Sequence, residues 1–321
     1  MASSSPELRV ASRRVARLRT VAVSPRLFVW LAVGSALSLY LILVTGATVR
    51  LTGSGLGCEH WPGCQAGQPF PEKGYHSYIE FGNRLVGGIT IAVTLIAALA
   101  ASRVPGLPRL QRKRAYGVFV GTLAQAPLGY LTVRFHLNPY LVISHFLLSA
   151  VVLAGAVLVL LAALELRYGG TAPLVPRELQ RIVQLAAAAA LVLLVSGTIT
   201  TASGPHPGDS SKVRRLWRLG SAIYVHTGAT AVFGVCFVFT LGYLAARRAR
   251  SPRLFLISAG VLGLLLVQMA IGETQYRTHL PWWLVLIHVA VAGAVWTGIV
   301  ALASLFRRPL AWLAPGGKPA A

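Results

Sequence analysis

The chain has 321 residues, of which 55% are hydrophobic and only 12% charged, with a mean hydropathy of +0.66. That is too apolar for a soluble domain of this length and reads as a membrane protein. The 30 basic and 8 acidic residues give a net charge of +22, yet the basic residues gather in loops and tails; this argues against nucleic acid as a partner and fits a bilayer with anionic headgroups.

A hydrocarbon core about 30 Å thick needs roughly 20 apolar residues in helical form. Eight runs qualify: 27–49, 78–101, 115–133, 140–164, 182–202, 222–246, 254–276 and 281–306. The expected fold is all-α, a polytopic membrane protein whose eight transmembrane helices form two parallel-repeat four-helix bundles. The expected organisation is a cytoplasmic basic arm (1–26), an N-terminal four-helix half (27–164), a cytoplasmic linker (165–181), a C-terminal four-helix half (182–306) and a cytoplasmic tail (307–321). An organelle transit peptide shares the composition of the arm and stands as its alternative. With the N-terminus inside, 21 basic residues face the cytoplasm and eight face out, so both termini are expected to be cytoplasmic and the protein multi-pass in the cell membrane. The outer loop carrying Lys212, Arg214, Arg215 and Arg218 departs from this bias.

The loop 50–77 is rich in Gly and Pro and holds Cys58 and Cys64, two of the three cysteines. On an oxidising face such a pair can close a small disulfide; two free thiols or a redox-active dithiol are the other readings. Cys236, alone in an apolar run, reads as a small core residue. The second span opens with Glu80, Asn83 and Arg84 on adjoining positions of one helix. An acid inside a span is expected to be functional, and an intrahelical pair with Arg84 is the bland alternative.

The two halves repeat. At an interval of 143, Gln125, Gly129, Arg134, His136, Leu137, Leu141, Val142 and His145 fall on Gln268, Gly272, Arg277, His279, Leu280, Leu284, Val285 and His288, and Asn83 falls on His226. At 151, Val44-Thr45-Gly46 falls on Val195-Ser196-Gly197. Such a duplication in parallel implies a pseudo-twofold axis along the membrane normal. His226 and His288 form a level pair on two helices, which suits a bis-histidine haem, so His145, His226 and His288 are the candidate iron ligands. The first half offers His145 with Asn83 opposite and Glu80 one turn away, a reaction site in which His145, Asn83 and Arg84 would bind the substrate haem and Glu80 would move protons. Arg134 and Arg277 sit at the outer edge, as propionate contacts or as interfacial anchors. Glu273, with Tyr130 at the matching place, suggests no role.

The Thr-Gly-Ser-Gly-Leu-Gly-Cys58 loop with Cys64 after it, Ile79-Glu80 ahead of Arg84, and histidines 145, 226 and 288 in two four-helix halves resemble haem A synthase over roughly residues 27 to 306. The resemblance implies oxidation of a porphyrin methyl of haem O to a formyl group by successive hydroxylations, giving haem A for terminal oxidases. It implies a haem b on His226 and His288 as cofactor, haem O as substrate in the first half, catalysis by Glu80, and a Cys58–Cys64 disulfide. Haem O synthase and oxidase assembly factors would be its partners, together with an electron acceptor of unspecified identity. Asn83 departs from the histidine usual there. The competing expectations are a membrane b-type cytochrome that carries electrons without modifying haem, and a transporter with parallel repeats.

Overall fold

The computed structural model describes residues 22–65, 67, 68, 70, 71, 74–209, 215–248 and 251–317. Most of the basic arm, with Lys212 and Arg214 of the outer loop and the last four residues of the tail, lies outside them. The described residues form eight long helices: α1 Pro25–Leu51, α2 Tyr75–Ala101, α3 Arg109–Arg134, α4 Pro139–Tyr168, α5 Arg177–Ser203, α6 Leu219–Ala246, α7 Pro252–Arg277 and α8 Trp282–Leu305, followed by a 3-10 turn at Ala311–Leu313. Most exceed the expected apolar runs because the backbone ladder continues past the hydrophobic stretch into polar flanks; α3 begins six residues before 115, at Arg109.

Proline sets several helix starts. Pro25 and Pro139 occupy the first turn, where the missing N–H costs nothing, behind caps from Ser24 Oγ to the Leu27 N–H (3.2 Å) and from Asn138 Oδ1 to the Tyr140 N–H (3.0 Å). Seven of the eight helices are long and apolar enough to cross a membrane. The exception is α3, whose first turns hold Arg109, Arg112, Lys113 and Arg114 and whose interior holds Gln125 and Pro127. Its 26 residues nonetheless span about 39 Å, and it lies against both α2 and α4. The chain is a polytopic helical membrane protein.

Within the first half α1 touches α2 and α4, and α3 closes the ring against α2 and α4; in the second half α5, α6, α7 and α8 make the matching ring. Between the halves α4 meets α8, α1 meets α8 and α5 meets α4. Exchanging the halves turns the second of these contacts into the third and leaves the first unchanged, as parallel repeats about a common axis require. Two side chains stitch this seam: Trp296 Nε1–H donates to the Ala150 carbonyl (2.9 Å) and Tyr40 O–H to the Ala290 carbonyl (2.8 Å).

The repeat extends to backbone detail. The α3–α4 turn places His136 and Leu137 at φ 50° and 56°, and the α7–α8 turn places His279 and Leu280 at 63° and 59°. Both turns return an N–H to a carbonyl five residues back, Leu137 to Thr132 (2.8 Å) and Leu280 to Gln275 (2.7 Å), which satisfies helix-end acceptors. The tight core lies toward the other end of the bundles. Buried residues on α4 begin only at Ala150, those on α7 stop at Leu265, and on α8 none lies between Leu284 and Gly293. The end that carries the Cys58 loop is therefore the loosely filled one.

Candidate functional site

The candidate ligands His145, His226 and His288 on α4, α6 and α8, and Asn83 at the equivalent place on α2, sit half-buried in that loosely filled end. Each also faces a glycine of the neighbouring helix. A Cβ on Gly197 of α5 would lie 3.1 Å from His226 Cε1, and one on Gly272 of α7 would lie 3.1 Å from His288 Cε1. In the first half the corresponding distances are 3.5 Å from Gly129 to His145 Cε1 and 4.0 Å from Gly46 to Asn83 Oδ1. The glycines thus leave a notch that a Cβ would narrow and into which the facing side chain fits.

The notch decides which nitrogen is left over. His226 Nδ1 lies 3.0 Å from Ser196 Oγ, whose own hydrogen goes to the Leu193 carbonyl (2.8 Å). The hydroxyl therefore accepts from Nδ1–H, and Nε2 carries the lone pair. Nδ1 of His145 is buried without a partner, and the buried Nδ1 of His288 faces the Gln268 carbonyl. Nε2 of all three has no hydrogen-bond partner among the described residues and is not sealed off. Buried Nδ1, accessible Nε2 and a backbone cradle that a Cβ would fill are what an iron-ligating pair requires, so this donor set fits a haem. Among the described residues no cluster of three His, Cys, Asp or Glu offers a metal site of another kind.

Gln125 and Gln268 repeat as well, each with Oε1 buried and without a partner, while Gln125 Nε2 donates to the His145 carbonyl (3.2 Å) and Ser149 Oγ (2.7 Å). Thr45 and Ser196 are likewise equivalent, since Thr45 Oγ1 donates to Asn83 Oδ1 (2.8 Å). Sequence reading counted these residues as repeat identities without a role. The signal was the glycine sixteen residues before both His145 and His288, and the hydroxyl–glycine pair that recurs as Thr45-Gly46 and Ser196-Gly197.

Glu80 is the one charged residue fully buried among the described residues. Both its oxygens are engaged: Oε2 accepts from the Cys58 N–H (2.9 Å) and Oε1 from the Arg84 guanidinium. Arg84 also donates to the carbonyls of His60, Pro62 and Gly63. The pair foreseen as the bland alternative is thus present, but it does more than neutralise a charge. It fastens the loop that holds Cys58 and Cys64, which are joined as a disulfide. The loop needs its glycines: Gly53 has φ 70°, and a Cβ on Gly57 would meet the His76 carbonyl at 2.6 Å. His76 is held by Ser54 Oγ (2.8 Å) within this structure.

Arg277 Nε donates to Glu273 Oε1, and both side chains are exposed. This gives Glu273 a partner that sequence alone did not supply. Arg134, His136 and His279 are exposed at the same two turns. Arg50, at the end of α1, reaches across to the second half and donates to the carbonyls of His206 (3.2 Å) and Thr201 (3.2 Å).

The family model of the cytochrome oxidase assembly protein matches residues 29–205, more than half of the chain. The match takes in the disulfide loop, Glu80, Asn83, Arg84 and His145 and ends before His226. A protein of Bacillus pumilus (strain SAFR-032) described as "Heme A synthase" is 34% identical over 137 residues, 42% of this chain and 44% of the relative. Proteins of the same description from Geobacillus thermodenitrificans and Shouchella clausii (strain KSM-K16) are 33% and 36% identical over 137 and 138 residues, covering 41% and 42% of this chain and 42% and 45% of each relative. The chain thus spans less than half the length of the curated relatives it matches. By the extent of the profile match, the chain belongs to the cytochrome oxidase assembly protein family.

Proposed function

We propose that this protein is a haem A synthase, which oxidises a methyl group of haem O to a formyl group and supplies haem A to a terminal oxidase. The observation that carries the reading is the divided character of the repeat. One half presents two histidines seated in glycine notches, and the other presents one histidine, an asparagine and the buried carboxylate Glu80. A plain electron carrier needs no such division. The curated relatives described as haem A synthases support the same reading.

His226 and His288 would hold a haem b, and His145 would hold haem O. When bound, the first haem supplies one-electron chemistry and the second the methyl group to be oxidised. Each hydroxylation replaces a C–H by C–OH with the oxygen taken from water and loss of two electrons and two protons; after two rounds the geminal diol loses water to give the aldehyde. The electrons leave to an external acceptor, and the protons need a base within the bilayer, where Glu80 lies one helical turn from Asn83. Arg84 would release Glu80 when the carboxylate takes up a proton, and it keeps the disulfide loop seated over this end. Arg134 and Arg277, exposed at the corresponding turns, would meet haem propionates. The termini would be cytoplasmic and the disulfide loop would face outward in the cell membrane, in keeping with the bias of basic residues. Haem O synthase and oxidase assembly factors would be the working partners.

The test is chromatography of haem extracted from membranes of a host that makes haem O, with and without this chain. Haem A with its alcohol intermediate is the expected result. Only haem b and haem O, from protein shown to carry a b-type spectrum and supplied with an electron acceptor, would establish the electron-carrying cytochrome instead.

A further inference from the structure

The first half departs from the second at one ligand position, and the contacts around that position are informative. Asn83 stands where the repeat places His226. An amide nitrogen has no available lone pair and an amide oxygen suits hard cations, so Asn83 is not a ligand for haem iron. Nor do its neighbours replace the missing histidine. Both oxygens of Glu80 are taken by Cys58 N–H and Arg84, and His76 is tied to Ser54 in the loop.

The asparagine is nonetheless oriented. Thr45 Oγ1 lies 2.8 Å from its Oδ1 and 3.3 Å from the Ile42 carbonyl, so its single hydrogen goes to the nearer amide oxygen, at the place where Ser196, whose hydrogen goes to the Leu193 carbonyl at 2.8 Å, accepts from His226 Nδ1 in the second half. With the oxygen held, the free end of the side chain is the NH2 group, which has no partner among the described residues and is not sealed off. Where one half presents an iron ligand, the other presents a shorter group with two N–H donors, seated over the same kind of glycine.

We infer that the first-half site holds its haem through His145 alone, and that the opposite axial position takes a small exogenous ligand, water or a diatomic, which accepts a hydrogen bond from the Asn83 amide. This rests on the reading of the first half as a haem site. Thr45 is then a positioning residue, because it fixes which end of the amide faces the ligand. The second-half pair leaves no free axial position and is silent toward such ligands.

The experiment uses the full chain purified in detergent, saturated with haem, reduced and exposed to carbon monoxide. Two haems per chain are expected, one of which binds carbon monoxide. Asn83→His should abolish that binding and yield a second low-spin haem, while the His226–His288 spectrum serves as an internal check on folding. Thr45→Val should keep the binding but raise the C–O stretching frequency, because the donor is no longer held, and Thr45→Ser should restore it. Two bound haems with no carbon monoxide binding in the wild type, unchanged binding in Asn83→His, or only one haem per chain would each overturn the inference. An unmoved C–O stretch in Thr45→Val would remove the amide from it. A protein that makes haem A yet ignores carbon monoxide sinks this inference alone, and one that binds carbon monoxide yet makes no haem A sinks the synthase reading alone.

Discussion

Gly197 and His226 are in contact across α5 and α6, so close that a Cβ on the glycine would come within 3.1 Å of the imidazole and 3.6 Å of its Nδ1. The same contact recurs between Gly272 and His288. Glycine lowers helix propensity by about 1 kcal/mol relative to alanine, so its presence at both notches serves the ring and not the helix. Gly197→Val and Gly272→Val should each displace the facing histidine and weaken haem binding on the order of 10–100-fold. Thermal stability of the haem-free protein should hardly fall. Haem titration followed by its absorbance is the check, and unchanged affinity in both variants would show that the notches are mere packing.

Glu80 and Arg84 form a pair that is almost fully buried, with side-chain exposures of 6% and 15%. Removing one member strands the other, which costs roughly 3–5 kcal/mol for a buried pair. Arg84→Leu should therefore loosen the disulfide loop, whose carbonyls at His60, Pro62 and Gly63 lose their donor. Limited proteolysis between α1 and α2 should accelerate. Glu80→Gln keeps an acceptor for Cys58 N–H but cannot take up a proton. It should retain the second-half haem spectrum and lower haem A formation by about 10²–10⁴-fold; full turnover in this variant would remove Glu80 from the chemistry.

These two cases mark what sequence could and could not disclose. The eight helices were legible because an apolar run of about 20 residues has few alternatives, and α3 was the weakest because its cations and Gln125 dilute the signal. The Glu80–Arg84 pair was legible as neighbours four apart on one helix. The bond from Cys58 N–H to Glu80 was not, since it closes a loop of 22 residues whose path depends on Gly53 and Gly57. The glycine notches were visible as repeat identities, but their meaning depends on the register between helices. Arg50 is in sequence only one of the eight basic residues counted on the outer side, and the fold shows that it crosses to the other half.

The Cys58–Cys64 bridge closes a small loop, so its contribution to stability through chain entropy is on the order of 2 kcal/mol. Cys58→Ser or Cys64→Ser, or mild reduction of the wild type, should lower the unfolding temperature by a few degrees. The loop would remain attached through Glu80, Arg84 and the bond from Ser77 Oγ to the Gly57 carbonyl (2.6 Å). The double variant Cys58→Ser/Arg84→Leu should then lose more than the sum of the singles, because either fastening alone holds the same segment. A strictly additive loss, measured by thermal unfolding in detergent, would show that the two act on separate parts.

Arg50 ties the halves together beside Leu137, which packs against Gly208 of the second-half loop. Its guanidinium donates to the Thr201 and His206 carbonyls, His206 Nε2 donates to the Leu280 carbonyl (2.7 Å), and Gly55 N–H donates to the Gly208 carbonyl (3.1 Å). These bonds join the disulfide loop, the second-half loop and the α7–α8 turn into one layer. A hydrogen bond from a charged donor contributes about 1.5–3 kcal/mol, and two originate from Arg50. Arg50→Met keeps the length of the side chain and removes the donors, so it should destabilise this layer without disturbing the buried cores at the opposite end. Hydrogen exchange should rise at Thr201–Gly208 and around Leu280, while α4 beyond Ala150 stays protected. Faster exchange spread evenly through both bundles would mean instead that Arg50 supports the fold as a whole and not the junction.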